Sequence, residues 1–174
     1  MNKTRIGIDM DDVICDFHGH VFDWCAERFD LDPIHKYKTH TTTLLTPDQK
    51  RERTALLNEG HVFREFEAKE GAIEVIERLN RAYDVFIITA AMEHPSSLKP
   101  KFDWMQTHMP FMDPLKLVFC GVKYVANVDY LIDDTPDHFE HLDGEGILFS
   151  APKNLEETRY KRVDTWADVA QMFL

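Results

Sequence analysis

The sequence has no apolar run near eighteen residues, and its opening, Met1-Asn2-Lys3-Thr4-Arg5, carries no apolar h-region. It therefore offers neither a membrane span nor an export signal. Cysteine is scarce: Cys15, Cys25 and Cys120 are odd in number and form no C-x-x-C. That argues against a disulfide framework and for reduced thiols in a cytoplasmic protein, with none of the three as a nucleophile. Repeats, low-complexity stretches and Gly/Ser linkers are missing. Positive charge is in short supply, with 20 Lys and Arg against 31 Asp and Glu, a net charge of −11. Such a chain is repelled by nucleic acid backbones and anionic lipid, so neither a nucleic acid polymer nor a membrane is expected as a partner. A small phosphorylated molecule stays possible, because it needs only a local positive site. The oligomeric state is left open.

What is present is an ordinary soluble composition. Of the 174 residues, 44% are hydrophobic, 29% charged and 11% aromatic, enough for one domain with a real core. Short apolar runs alternate with helical patterns. The runs are Arg5 to Ile8, ending in Asp9; Asp84 to Ile88, ending at Thr89; Leu117 to Cys120; Tyr130 to Ile132, ending at Asp133-Asp134; and Gly146 to Phe149, ending at Ser150. Rich in β-branched and aromatic residues and lacking long alternation, they read as about five buried parallel strands. Ala72, Ile73, Val75, Ile76 and Leu79 mark a helix after Gly71. A second is expected over Ser96 to His108, and a third from an N-cap at Asp164, carrying Trp166, Val169 and Phe173. Strand–helix alternation of this kind predicts an α/β, Rossmann-like parallel sheet flanked by helices.

Residues 18–70 break the alternation. Thr46-Pro47-Asp48-Gln49 is a capping box with Pro at the first helical position, launching a helix through Leu57, and Phe22, Cys25, Ala26 and Phe29 suggest an earlier helix. We expect a small helical cap inserted after the first strand, with 1–17 and 71–174 forming the catalytic core.

In open parallel sheets ligands bind at the C-terminal strand ends. That edge collects Asp9-Met10-Asp11, Thr89, Lys123 and Asp133-Asp134. A carboxylate can attack a phosphoryl group, provided a hard dication relieves the repulsion between two anions, and Mg²⁺ takes one or two carboxylates plus a phosphate. Asp9 suits the roles of nucleophile and ligand. Asp11, just beyond the turn, suits acid/base work by its side chain and metal binding by its carbonyl. Adjacent carboxylates at 133 and 134 repel each other, a cost a dication removes. Thr89 and neighbouring N–H groups suit phosphate oxygens, and Lys123 would neutralise phosphate and Asp9. Taken singly, a D-x-D is more often a turn or cap, Thr89 a strand end, and Lys123 one surface lysine among many; order and placement carry the reading.

With these residues placed, the chain resembles the haloacid dehalogenase superfamily. Asp9-Met10-Asp11-Asp12-Val13 resembles its first motif, D-x-D-x-[TV], Thr89 the second, Lys123 the third and Asp133-Asp134 the fourth. It is more similar still to the 5′(3′)-deoxyribonucleotidase family. Val13-Ile14-Cys15-Asp16-Phe17 matches that family's stretch after D-M-D-G-V, Lys123 stands as its lysine does before Leu131-Ile132-Asp133-Asp134, and Phe149-Ser150-Ala151-Pro152-Lys153-Asn154 resembles F-T-A-x-H-N. The resemblance implies a Mg²⁺-dependent phosphatase acting on deoxynucleoside monophosphates through an aspartyl-phosphate on Asp9, with Asp11 as acid/base. It implies metal held by Asp9, the Asp11 carbonyl and Asp134, with Asp133 helping through water or hydrogen bonds. Thr89 and Lys123 would bind phosphate, and Phe17 would line the base or sugar pocket. Asp12 stands where mammalian members have Gly, Ala90 where they have Ser, and Gly121 where they have Arg.

Two other readings stand beside this one: a superfamily phosphatase or phosphomutase acting on a sugar phosphate or other small ester, and a silent phospho-ligand-binding protein. Both acids of the first motif are retained, which weighs against silence. Phe63, Arg64 and Phe66 either close over a base or pack the insertion onto the core, and packing is the more ordinary role. His18-Gly19-His20 lacks partners at ligand spacing. Met105, Met109 and Met112 read as core, and Glu67, Glu70 and Glu74 as a solvated face.

Overall fold

The computed structural model describes residues 3–174. Six strands form one fully parallel sheet in the order β3-β2-β1-β4-β5-β6: β1 Arg5–Ile8, β2 Asp84–Thr89, β3 Leu117–Phe119, β4 Tyr130–Asp133, β5 Glu145–Phe149 and β6 Lys161–Val163. The expected apolar runs are all strands. The sixth is an addition to the expected five: β6 is a short edge strand of sequence Lys-Arg-Val paired with β5, too polar and too brief to register as an apolar run.

Helices cover the sheet. α4 (Ala72–Ala82) buries Ala72, Val75, Ile76 and Leu79, the stripe its spacing predicted. α5 (Leu98–His108) starts two residues later than expected, after a 3₁₀ turn at Pro95–Ser97. α6 (Trp166–Phe173) is capped by Thr165 rather than Asp164. The Thr165 hydroxyl accepts from the Asp168 N–H and Asp168 reaches back to the Thr165 N–H, a reciprocal box that Asp164 cannot form. Indole N–H groups tie distant layers, Trp104 to the Phe66 carbonyl at 2.7 Å and Trp166 to that of Val13 at 2.9 Å. Among the described residues, no helix is long and apolar enough to cross a membrane.

Between β1 and β2 lie α1 (Phe17–Phe29), the single turn α2 (Thr41–Leu44) and α3 (Pro47–Glu59). The Thr46/Gln49 box launches α3 as expected, and Gly60 ends it at φ +80°, where a Cβ would stand 2.4 Å from the Ser96 carbonyl oxygen. Val21, Cys25, Leu45, Leu57, Val62, Phe63 and Phe66 of this insertion share one hydrophobic cluster with Ile6 and Ile8 of β1 and Trp104 of α5. At about 1.5–3 kcal/mol per buried large apolar side chain, that shared burial fastens the insertion to the sheet.

Candidate active site

β1 ends in buried Asp9, whose N–H bonds the Ile132 carbonyl of β4 at 2.9 Å. The two central strands thereby bring Asp9 alongside Asp133 and Asp134. Oxygens of these three carboxylates all lie within 4.8 Å of one another, and all three side chains are buried. Lys123, 1% exposed, reaches up from a 3₁₀ turn after β3 and holds Asp9 at 2.5 Å and Asp133 at 2.6 Å. His138 Nδ1 completes the surroundings of Asp133 at 2.9 Å.

These contacts divide the acids. Burial pushes Asp9 up to about 6, Lys123 opposing and Asp133 and Asp11 adding to the shift. Burial drives Asp134 well above the carboxylate range, with Lys153 offsetting only part. Asp133 goes the other way, to about 2, because Lys123 and His138 outweigh its burial. Lys123 is raised, its desolvation overcome by Asp133 and Asp9. The cradle thus carries more negative charge than its lysines relieve.

A divalent cation fits that imbalance. The donor set is all hard oxygen, and Asp134 Oδ2 is buried without a hydrogen bond, although Lys153 Nζ lies 2.8 Å away. Asp133, committed to Lys123 and His138, is placed to orient rather than to ligate.

Asp11 sits two residues along, outside the three-acid group. Its Oδ2 meets Lys101 Nζ at 2.5 Å, and its Oδ1 is buried and unbonded. Lys101 also donates to Thr89 Oγ1 at 2.9 Å, so one ammonium joins the end of β2 to the turn after β1. Asp12 occupies the left-handed region at φ +60°, which Asp tolerates, and accepts the His18 N–H at 2.6 Å, helping to cap α1. Ala90 lines the cavity without a hydroxyl.

The cavity over these groups is about 310 Å³, near the lower bound of ordinary ligand sites, about 300–1,000 Å³. Asp9, Asp11, Lys123 and Asp134 form its floor; Phe17, Leu57, Phe63, His40, His94 and Arg53 line it above. Its volume suits a small ester. A larger hollow of 760 Å³ at the opposite sheet edge, around Lys3, Arg5, Asp84 and Asp129, groups none of the cradle residues.

The structure therefore brings Asp9, Asp11, Thr89, Lys123, Asp133, Asp134 and Phe17 to one place. Phe17 is less available than expected: Phe63 stacks on it at 6.1 Å and Arg53 lies over it at 5.8 Å. Phe63 and Phe66 are buried packing residues, Phe63 also lining the cavity, while Arg64 pairs with Asp103 at 2.6 Å. His18 is buried, its Nε2 on the Lys36 carbonyl. Burial pushes the Cys15 and Cys25 thiols up, against thiolate chemistry.

Three cations escaped the sequence reading. Lys101 gave a signal: it shares the buried stripe of α5 with Trp104 and Met105, and lysine is almost never fully buried unless paired. Arg53 stands one turn before Leu57, the buried residue of α3. Lys153 lies in a loop, within the stretch Phe149-Ser150-Ala151-Pro152-Lys153-Asn154 quoted for the resemblance, which gave it no role.

The family model described as 5′ nucleotidase, deoxy (pyrimidine), cytosolic type C protein matches residues 2–174. A Staphylococcus epidermidis protein provisionally named a 5′(3′)-deoxyribonucleotidase is 38% identical over 99% of this chain and 97% of its own length. The 5′(3′)-deoxyribonucleotidase of Bacillus subtilis is 34% identical over 99% of both. Among solved structures, a haloacid dehalogenase-like hydrolase from Streptococcus pneumoniae matches with TM-score 0.65 at 14% identity, covering 99% of each chain, which is a likeness of fold. The parallel sheet, the acids at its strand ends and these matches agree: the chain belongs to the cytosolic type C deoxy-5′-nucleotidase family and is a phosphomonoester hydrolase with the haloacid dehalogenase-like fold.

Proposed function

We propose that this chain is a Mg²⁺-dependent 5′(3′)-deoxyribonucleotidase that works in the cytoplasm and transfers the phosphoryl group of a deoxynucleoside monophosphate to Asp9 and then to water. The observation that carries this is the Asp9–Lys123–Asp133 chain on the floor of a small cavity, with Asp11 beside it. Lys123 and Thr89 hold the phosphate oxygens. An Asp9 oxygen attacks phosphorus as the ester P–O bond breaks, and Asp11 gives its proton to the departing oxygen. Asp11 then takes a proton from water, the water oxygen attacks phosphorus, and the Asp9–phosphorus bond breaks to release inorganic phosphate. Asp9, Asp134 and the Asp11 carbonyl would hold Mg²⁺, which supplies charge neutralisation for the phosphoryl oxygens and the nucleophile. Lys101 keeps the Asp11 carboxylate at the turn with Oδ1 unbonded and free for the proton. Residues 18–70 act as the cap, walling the ester from bulk water, with Phe17 on the nucleoside side. The free thiols suit a reducing compartment.

The test is phosphate release from deoxynucleotides, ribonucleotides and sugar phosphates, with and without Mg²⁺. Mg²⁺-dependent release favouring deoxynucleotides is expected. Preference for a sugar phosphate would keep the chemistry and discard the substrate, and no release from any ester would discard both.

A further inference from the structure

The cations on the cavity floor are all matched: Lys123 to Asp9 and Asp133, Lys101 to Asp11, Lys153 to Asp134. Arg53 is not. Its Nε is buried with no hydrogen-bond partner, and among the described residues its guanidinium forms no ion pair. Phe17 lies beneath it, with Leu57, Phe63, His40 and His94 along the same cavity, and although the carboxylates of Asp12 and Glu93 line that cavity too, neither pairs with it. A guanidinium stays charged at any ordinary pH, and burying one of its N–H groups without an acceptor is costly. Such a cost persists where a ligand relieves it.

The phosphate end of the cavity already has its cations and its hydroxyl. The wall that holds Arg53 offers flat apolar surface and, on the two Nη atoms, four N–H donors in one plane. A flat heteroaromatic ring with acceptor atoms on its edge meets both. Because Phe63 and Arg53 already cover Phe17, such a ring meets the guanidinium before the phenyl, and bases stack on arginine planes as they do on aromatic ones.

We propose that Arg53 is the residue that recognises the leaving group, donating hydrogen bonds to acceptor atoms of the nucleobase while the floor holds the phosphate. This assignment rests on the deoxynucleotidase reading. Arg53 binds substrate and takes no part in proton transfer. Its effect appears in the choice among leaving groups, with burial and shape supplied by Phe17, Leu57 and Phe63.

The experiment compares kcat/KM for the deoxynucleotides the wild type accepts with two controls. One is the matching apolar isostere, difluorotoluene for thymine or 4-methylbenzimidazole for adenine, which keeps shape and loses the strong acceptors. The other is 2-deoxyribose 5-phosphate, which has no base. The wild type is expected to prefer the natural base over its isostere by on the order of 10²-fold or more. Arg53→Met brings that ratio close to unity, and Arg53→Lys, which keeps charge without the fork, falls between. Thermal unfolding separates recognition from structure: Arg53→Met melts at or above the wild type, since it removes an unmatched charge. Retention of the base-to-isostere ratio in Arg53→Met, or a melting point well below wild type, overturns the assignment while leaving the nucleotidase reading intact. A wild type that hydrolyses deoxyribose 5-phosphate as well as any nucleotide overturns that reading, and this assignment with it.

Discussion

The floor and the upper wall of the cavity follow opposite electrostatic rules. On the floor, strand ends place cations against carboxylates at 2.5–2.8 Å, so each charge is fixed by another. On the wall, Arg53 is fixed by none, and His40 is held neutral: burial first, then His18 and the cations Arg53 and Lys153, push it down to about 4. The floor is thus preorganised for one event common to all phosphomonoesters. The wall is left short of partners, which is the condition for reading what differs between one ester and the next.

The contrast can be broken most severely at Asp9. Asp9→Asn is expected to reduce phosphate release by at least about 10⁴-fold, since a carboxamide does not replace the nucleophile; near-normal turnover would remove Asp9 from the mechanism. Asp11→Asn should cost about 10²–10⁴-fold in kcat. With a good leaving group such as p-nitrophenolate, phosphoenzyme should accumulate, seen as acid-stable label from radiolabelled ester, because the first step then needs no acid and the second still needs a base. Lys123→Met strands two buried carboxylates and should lower stability by about 3–5 kcal/mol in denaturant titration without metal. A change below 1 kcal/mol would mean the floor is not held by matched charge. Lys153 sharpens the comparison, since it is one-third exposed and contributes less. Lys153→Met should lower the melting point without Mg²⁺ by less than Lys123→Met does, and saturating Mg²⁺ should close the gap, because a dication replaces the lost charge. The smallest effect belongs to the wall. The fold favours neutral His40, so its contribution is complete above pH 6.5 and is lost as pH falls toward 4. His40→Gln should flatten that part of the melting-point profile; an unchanged slope would show that His40 is not held neutral.

The acids and Lys123 of the floor were legible in the sequence; of the wall only Phe17 and Phe63 were, and Arg53, His40 and His94 were not. Asp9, Thr89 and Asp133 each end an apolar run, so strand periodicity alone placed them on one edge. Lys123 was placed there because it follows the third apolar run, and its position before Leu131-Ile132-Asp133-Asp134 added the family resemblance. Lys101 and Arg53 lie on helices whose faces are decided by what packs against them, and a charge on such a face reads as solvated until the packing is seen. β6 was missed because Lys161-Arg162-Val163 has the polarity of an edge, and the start of α6 slipped by one residue because Asp164 and Thr165 are both good caps and the partner, Asp168, decides between them. The gain from structure is greatest at Asp12, whose place is set by one positive φ and one hydrogen bond.

The sheet order has a consequence in time. β1 is made first yet lies between β2 and β4, so Asp9 leaves the synthetic machinery long before the strand that delivers Asp133 and Asp134. The intervening helices, with their local contacts, can form while the acids are still apart. A chain stopped short of β4 carries Asp9 with no Asp133 or Asp134 beside it, so the three-acid cradle comes together only once β4 has been made.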